Sequence, residues 1–260
     1  MMLLNGMIEI KNISDIQLLK ETEDNSVDLI FIDPPFNLKK IYLNYSDDIT
    51  EKEYLDWQFK ILKECKRVLS NRGNLIYHNI PKWCIRISNY LLDIGMIFNN
   101  WICWDNAGSI PVPNRLYPKH FSILWFSKSN EKIFNKQYTP IQRCRKCRST
   151  IKDYGGKYNT LKELNGRKVT ILSDVWSDIH RIKHKVNKHR NANELPYKLI
   201  ERIISIYSNE DSLVLDLYLG TGTTAEVCKD YNRNFIGCDI SKEDIEIVKN
   251  RIISVHKFFF

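Results

Sequence analysis

The sequence predicts an α/β fold, an open sheet with helices on both of its faces. Three observations lead there. Short apolar runs alternate along the chain with amphipathic runs of helical period. The short runs are apolar at nearly every position, as in strands covered on both faces, and do not alternate as strands with one wet face do. Helix start and stop residues punctuate the intervals between them.

In order, MMLLNGMIEI at 1–10 leads into a first strand and has neither a positively charged leader nor a cleavage pattern. The strand candidates are VDLIFI (27–32), NLIYHN (74–79), NWICWD (100–105), FSILWF (121–126), SLVLDLYL (212–219) and FIGCDI (235–240). Thr50 and Glu53 form a capping box that opens a helix with Leu55, Leu62, Cys65 and Leu69 on one face. Trp83, Ile87, Tyr90, Leu91 and Ile94 make a second apolar stripe, closed by Gly95. Leu199, Ile200, Ile203, Ile204 and Tyr207 make a third, with Pro196 in its first turn, and Ser241 with Asp244 opens the last helix. The interval 106–190 breaks this rhythm and reads as an insertion on the sheet's edge; no internal repeat is visible.

At 260 residues, 43% hydrophobic and 12% aromatic, the chain suits one large domain with a core of ordinary size. No apolar run approaches the length of a bilayer span. Seven scattered cysteines, an odd number, fit reduced thiols in a cytoplasm better than a disulfide framework. The net charge of +8 is unevenly placed: residues 140–190 hold fourteen Lys and Arg against four acids, leaving the remainder slightly acidic. An excess spread over that interval points to a polyanion-facing surface and argues less for a merely solvated one.

Two motifs fall where strands end, which is where open α/β sheets bind ligands. In VDLIFIDPPFNL a buried run finishes on Asp33, and two prolines follow it. In DLYLGTGTTAE a strand ends at Asp216, a Gly-x-Gly turn follows, and Thr223 and Thr224 start a helix. Such a turn admits a close ligand, and a helix start offers N–H groups to a carboxylate or phosphate. A further strand ends about twenty residues on at Asp239, placed to accept both hydroxyls of a ribose. The six-residue glycine spacing of dinucleotide sites is absent, which speaks against NAD.

Asp33-Pro34-Pro35-Phe36 together with the D-x-Y-x-G-x-G turn resembles the S-adenosylmethionine-dependent amino-methyltransferases of DNA. The order is that of their beta group: catalytic motif, recognition segment, then cofactor motif. NWICWDN and RNANELPYKLIERII are similar to two further motifs of the family, so the likeness covers nearly the whole chain. It implies a single Rossmann-like methyltransferase domain over 1–260. Residues 1–105 would be its catalytic half, 106–190 its basic target-recognition insertion, and 191–260 its cofactor-binding half. It also implies S-adenosylmethionine as cofactor and double-stranded DNA as substrate, and it allows for a cognate restriction endonuclease and a homodimer.

The resemblance gives the opening motif a chemical meaning. An exocyclic amine is a poor nucleophile, because its lone pair is delocalised into the base. Asp33 and the Pro34 carbonyl would accept its two hydrogens as it attacks, Pro34 and Pro35 would hold these acceptors in place, and Phe36 would stack on the base. That base must first leave the duplex. No thiol attack is needed, so no cysteine is a candidate nucleophile. For the cofactor, Asp216 would orient the methionine or the turn, with Tyr218, Gly220, Thr221 and Gly222 lining it. Thr223 and Thr224 would meet its carboxylate, Asp239 its ribose, and Asp33 would approach its amino group. Trp104 either borders the flipped base or is simple core. Asn106 stands where the family commonly has lysine, and Tyr218 where phenylalanine is commoner, the latter expected to be harmless.

Arg181, Lys183, Lys185 and Lys188 are the candidate DNA contacts. Cys144 and Cys147 have the spacing of half a zinc site, with His180 and His184 nearby, but the loop between the pairs is long for a compact finger and no metal is expected. His78 reads as a local hydrogen-bonding residue. The reading that follows is a site-specific enzyme methylating adenine at N6, because the adenine enzymes usually begin the catalytic tetrad with aspartate. The alternatives are methylation of cytosine at N4, and a catalytically silent DNA-binding or nucleotide-binding module.

Overall fold

The structure, a computed structural model, describes residues 7–39, 47–105, 113–140, 162–164, 167–182 and 194–254. Its first half runs β1 (Ile8–Lys11), α1 (Asp15–Glu21), β2 (Val27–Ile32), α2 (Glu51–Val68), β3 (Leu69–Asn79), α3 (Pro81–Asp93), β4 (Ile97–Asp105) and β5 (His120–Ser127). Short strands follow, β6 (Tyr138–Pro140), β7 (Lys162–Leu164), β8 (Arg167–Ile171) and β9 (Val175–Trp176). The chain closes with α4 (Tyr197–Tyr207), β10 (Leu213–Asp216), α5 (Thr223–Asp230), β11 (Asn234–Cys238) and α6 (Lys242–Ser254).

The strands build an eight-stranded sheet in the order β1-β11-β10-β2-β3-β5-β4-β9 and a small antiparallel one in the order β6-β8-β7. In the large sheet every pairing is parallel except the two that β5 makes with β3 and β4. Apolar side chains of β2 split between two cores, as a doubly covered strand requires. Ile30 and Ile32 pack with Leu18 of α1, Tyr54 of α2 and Trp83 of α3. Leu29 and Phe31 pack with Leu199 of α4, Ala225 of α5 and Val248 of α6. The expected α/β open sheet with helices on both faces is therefore what the chain forms. Two strands from 106–190, β5 and β9, lie within this sheet. No helix among the described residues is long and apolar enough to cross a membrane.

Local chemistry sets the element ends. Thr50 caps α2 through the Glu53 N–H while Glu53 reaches back to Thr50, the expected capping box. Leu69 leaves the helix face assigned to it: its backbone is extended, so it closes α2 and opens β3. Gly95, at φ +76°, ends the turn after α3. Pro196 sits at the N-cap of α4, outside the first turn. The run 212–219 is a strand only as far as Asp216, because the Asp216 carboxylate accepts the Tyr218 N–H at 3.0 Å and turns the chain.

The sheet order reverses direction between β10 and β2. From β2 the chain crosses through α2 to β3 on one side, and from β10 it crosses through α5 to β11 on the other. Such a switch point leaves a crevice beyond the carboxyl ends of the two central strands. Both sequence motifs sit there.

Candidate functional site

Phe31 of β2 pairs with Asp216 of β10, so Asp33 lies two residues beyond the level of Asp216 on the neighbouring strand. Asp239 follows β11, on the far side of β10. Three acids thus lie at the carboxyl ends of three adjacent interior strands. Asp216 is 2% exposed, and burial pushes its carboxyl up to about 7; Asp33 and Asp239 add to the rise, while the Thr224 hydroxyl and the Tyr218 N–H oppose it. A crevice rimmed by acids in this way favours a cationic ligand.

The glycine turn is held from three sides. Gly220 donates its N–H to Asp239 Oδ2 at 2.9 Å, and Ser241 donates to Asp239 Oδ1 at 2.9 Å. Gly222 caps α5 at φ +80°, where a Cβ would stand 2.6 Å from Val248 Cγ1, so both conformation and space demand glycine. Arg251 of α6 donates to the Thr221 carbonyl at 3.1 Å and pairs with Glu194 and Glu226. The Thr223 and Thr224 hydroxyls face inward, toward the Leu195 carbonyl and toward Asp216. What the turn offers a ligand is therefore backbone N–H, because the first helical hydrogen bond of α5 is that of Glu226 to Gly222. Tyr218 gives its hydroxyl to Asp15 Oδ2 at 2.9 Å, an oxygen shared with Trp57 Nε1 at 3.0 Å. Its hydroxyl is thus used by the fold, a role that phenylalanine could not fill. Asp15 and Arg251 were not among the candidates; Ser14 as the N-cap of α1 was the signal available for the first.

Around Asp33 the structure places an aromatic cluster. Phe36 is buried, its carbonyl accepts Trp83 Nε1–H at 2.7 Å, and its ring meets His78 and Phe121 edge-on, at 5.5 and 5.8 Å between centroids. The following turn is fixed by Asp47, which accepts the N–H groups of Asn37 and Leu38, and by Asn37, which bonds the backbone of Ile49 in both directions. Trp104 is 1% exposed and donates Nε1–H to the Ile179 carbonyl at 2.8 Å. It is core, behind His78 and Phe121. His78 hydrogen-bonds Asp33 at 2.7 Å, a partner 45 residues distant in sequence where a local one was expected.

A family model described as "DNA methylase", spanning the N6 and N4 enzymes, matches residues 27–250. The chain belongs to the DNA methylase family. Among curated relatives, this methylase is 43% identical over 91% of its length to the type II methyltransferase M.BamHI of Bacillus amyloliquefaciens, covering 55% of that protein. It is 37% identical to M.HpaI of Haemophilus parainfluenzae over 92% of this chain and 72% of that one. With M1.MboII of Moraxella bovis the identity is 36%, over 91% and 94%. The chain thus spans about half of the first relative's length and most of the other two.

Two solved structures share the methylase fold. The complex of M1.HpyAVI with S-adenosylmethionine superposes at a TM-score of 0.62 and 22% identity, covering 95% of this chain and 99% of that one. The cytosine-N4-specific PvuII DNA methyltransferase gives 0.64 and 18%, covering 96% and 94%.

Other expectations meet the structure unevenly. Arg181 and His180 are exposed. Asn106, Cys144, Cys147, Lys183, His184, Lys185 and Lys188 lie outside the described residues. Among the described residues no cluster of three metal-ligating side chains occurs. The five described cysteines are free thiols, and burial pushes those of Cys65 and Cys84 well up, which keeps them poor nucleophiles.

Proposed function

We propose that this methylase transfers a methyl group from S-adenosylmethionine to N6 of adenine in double-stranded DNA. The observation that carries the proposal is the adjacency of Asp33 and the glycine turn on neighbouring strands at the switch point. Bound there, S-adenosylmethionine would supply a methyl group already activated on a sulfonium. The donor set fits it: the Asp33 and Asp239 carboxylates suit a ligand with sulfonium and ammonium charges, and the α5 N–H groups suit its carboxylate. Asp239 accepts two backbone N–H groups and, as a carboxylate, retains lone pairs for ribose hydroxyls. Tyr218, Gly220, Thr221, Gly222, Thr223 and Thr224 would line the cofactor through backbone and ring surface.

The chain's own part in the reaction lies at Asp33. Its carboxylate and the Pro34 carbonyl accept hydrogen bonds from the two amino hydrogens, which pyramidalises the nitrogen and exposes its lone pair; once the new N–C bond forms, the methylated amine sheds one proton by way of the carboxylate to solvent. Acceptors fixed before the reaction stabilise the developing ammonium character without reorganisation. Pro34 and Pro35 carry no N–H to compete, and Phe36, whose carbonyl is held by Trp83 ahead of a turn fixed by Asn37 and Asp47, supports the base. Residues 106–190, with Arg181, Lys183, Lys185 and Lys188, would contact DNA, chiefly its phosphates. A cognate restriction endonuclease and a homodimer are compatible with this reading.

The reading of adenine rests on Asp33 as the first residue of the tetrad. The test is to incubate the protein with duplex DNA and S-adenosylmethionine, digest to nucleosides, and identify the methylated product by mass and retention. N6-methyldeoxyadenosine is expected. N4-methyldeoxycytidine as the sole product would overturn the choice of base and leave the chemistry standing, since the N4 amine needs the same activation.

A further inference from the structure

His78 is the penultimate residue of β3, beside the Asp33 motif that follows β2. The register pairs Ile32 with Tyr77, which brings Asp33 level with His78. Nδ1 of His78 lies 2.7 Å from Asp33 Oδ1, while the side chain is 2% exposed. Rings of Phe36, Trp104 and Phe121 stand 5.2 to 5.5 Å from its own, centroid to centroid. Nε2 is buried among them and has no hydrogen-bond partner among the described residues. A buried, unsatisfied ring nitrogen is costly enough to require an explanation.

The geometry selects one tautomer. Two lone pairs at 2.7 Å would repel, so a proton lies between Nδ1 and Oδ1. A proton on Nε2 would be a buried donor without an acceptor, whether the ring were neutral or charged. A proton on Nδ1, donated to Asp33 Oδ1, is the arrangement that leaves no buried N–H without an acceptor among the described residues. That bond engages Oδ1 and is the one hydrogen bond Asp33 makes to a described residue.

We infer that His78 is a positioning residue: it fixes the rotation of the Asp33 carboxylate and assigns Oδ2 as the oxygen that receives the amino hydrogen. The aromatic cluster contributes by leaving Nε2 no acceptor among the described residues, which disfavours the tautomer that would release the carboxylate. This rests on the catalytic reading of Asp33 and adds to it a named donor, a tautomer and a division of labour between the two oxygens.

The experiment compares His78→Leu, which keeps volume without a donor, with His78→Asn, whose amide N–H starts from the same side-chain position as Nδ1. Single-turnover methylation of duplex DNA and the KM for S-adenosylmethionine are read, with thermal unfolding as the folding control. His78→Leu should lower the methylation rate roughly 10- to 100-fold, the range for losing a hydrogen bond to a charged group, with KM within about twofold. His78→Asn should recover most of that loss. An unchanged rate in His78→Leu, or equal losses in two folded variants, overturns the inference. In the unmutated protein, long-range 15N–1H spectra read the tautomer without any variant: a proton on Nδ1 supports the inference, and one on Nε2 defeats it. Asp33→Ala separates the two readings. If it is inactive while His78→Leu is normal, only the role of His78 fails; if it turns over normally, the catalytic reading fails first.

Discussion

Gly220 donates its backbone N–H to Oδ2 of Asp239 at 2.9 Å, joining the turn after β10 to the acid after β11. A single carboxylate thus shapes the glycine turn, and the proposal gives it the cofactor's ribose as well. Asp239→Ala removes both contributions. Cofactor binding should weaken by about 1.5–3 kcal/mol for the missing charged hydrogen bonds, and the melting temperature should fall as the Gly220 and Ser241 amides lose their acceptor. Binding of DNA without cofactor should hardly change. Calorimetry showing unaltered cofactor affinity would move the ribose site elsewhere.

Gly222 tests the turn from its other end. Its φ of +80° and the 2.6 Å separation that a Cβ would have from Val248 both oppose a side chain. Gly222→Ala should cost about 1–3 kcal/mol of stability and loosen cofactor binding, because the α5 N–H groups move with the turn. Relieving the clash with Val248→Ala should return only part of that loss, since the left-handed backbone remains strained. Full recovery in the double variant would show that space alone matters there.

Much of this fold was legible because the strands are buried on both faces. VDLIFI and FSILWF cannot be read as one-sided strands, and the capping box at Thr50 announced α2. Helix α1 was not legible: it has seven residues, and its fully buried residues are Leu18 and Leu19, adjacent in sequence and too few to show a period. Nor was the direction of β5, because side-chain pattern is the same for a parallel and an antiparallel strand. At the site, Asp33, Asp216 and Asp239 were visible as strand-ending acids. The inward turn of Thr223 and Thr224 was not, since it depends on Leu195 and Asp216, distant or only approximately placed by sequence. The partner of Tyr218 was hidden for the same reason, lying 203 residues away at Asp15.

Asp216 gives a pH dependence of defined sign. Burial pushes its folded carboxyl up to about 7 from an ordinary 3.8. Between those values the folded state holds a proton that the unfolded state has lost, so this group's contribution to stability is full below about pH 4 and is lost as pH rises through 7. Asp216→Asn should remove that slope. Denaturant unfolding at several pH values should show the wild-type stability falling relative to the variant by an amount on the order of a few kcal/mol. Parallel curves would mean that the carboxylate is solvated or paired.

The basic interval yields a salt dependence. Neutralising Arg181, Lys183, Lys185 and Lys188 together should flatten the plot of log affinity for DNA against log salt. The slope should fall by about 0.9 for each phosphate left without its cation. An unchanged slope would place this charge in solvent and the recognition surface elsewhere.

Asp33 is proposed to act on the amine and to contribute little to holding the cofactor. Asp33→Ala, studied by calorimetry with S-adenosylmethionine and by single-turnover methylation at saturating DNA, tests this directly. Cofactor affinity should stay within about an order of magnitude of wild type, with no detectable methyl transfer. Near-normal turnover in a folded Asp33→Ala protein would contradict the catalytic role.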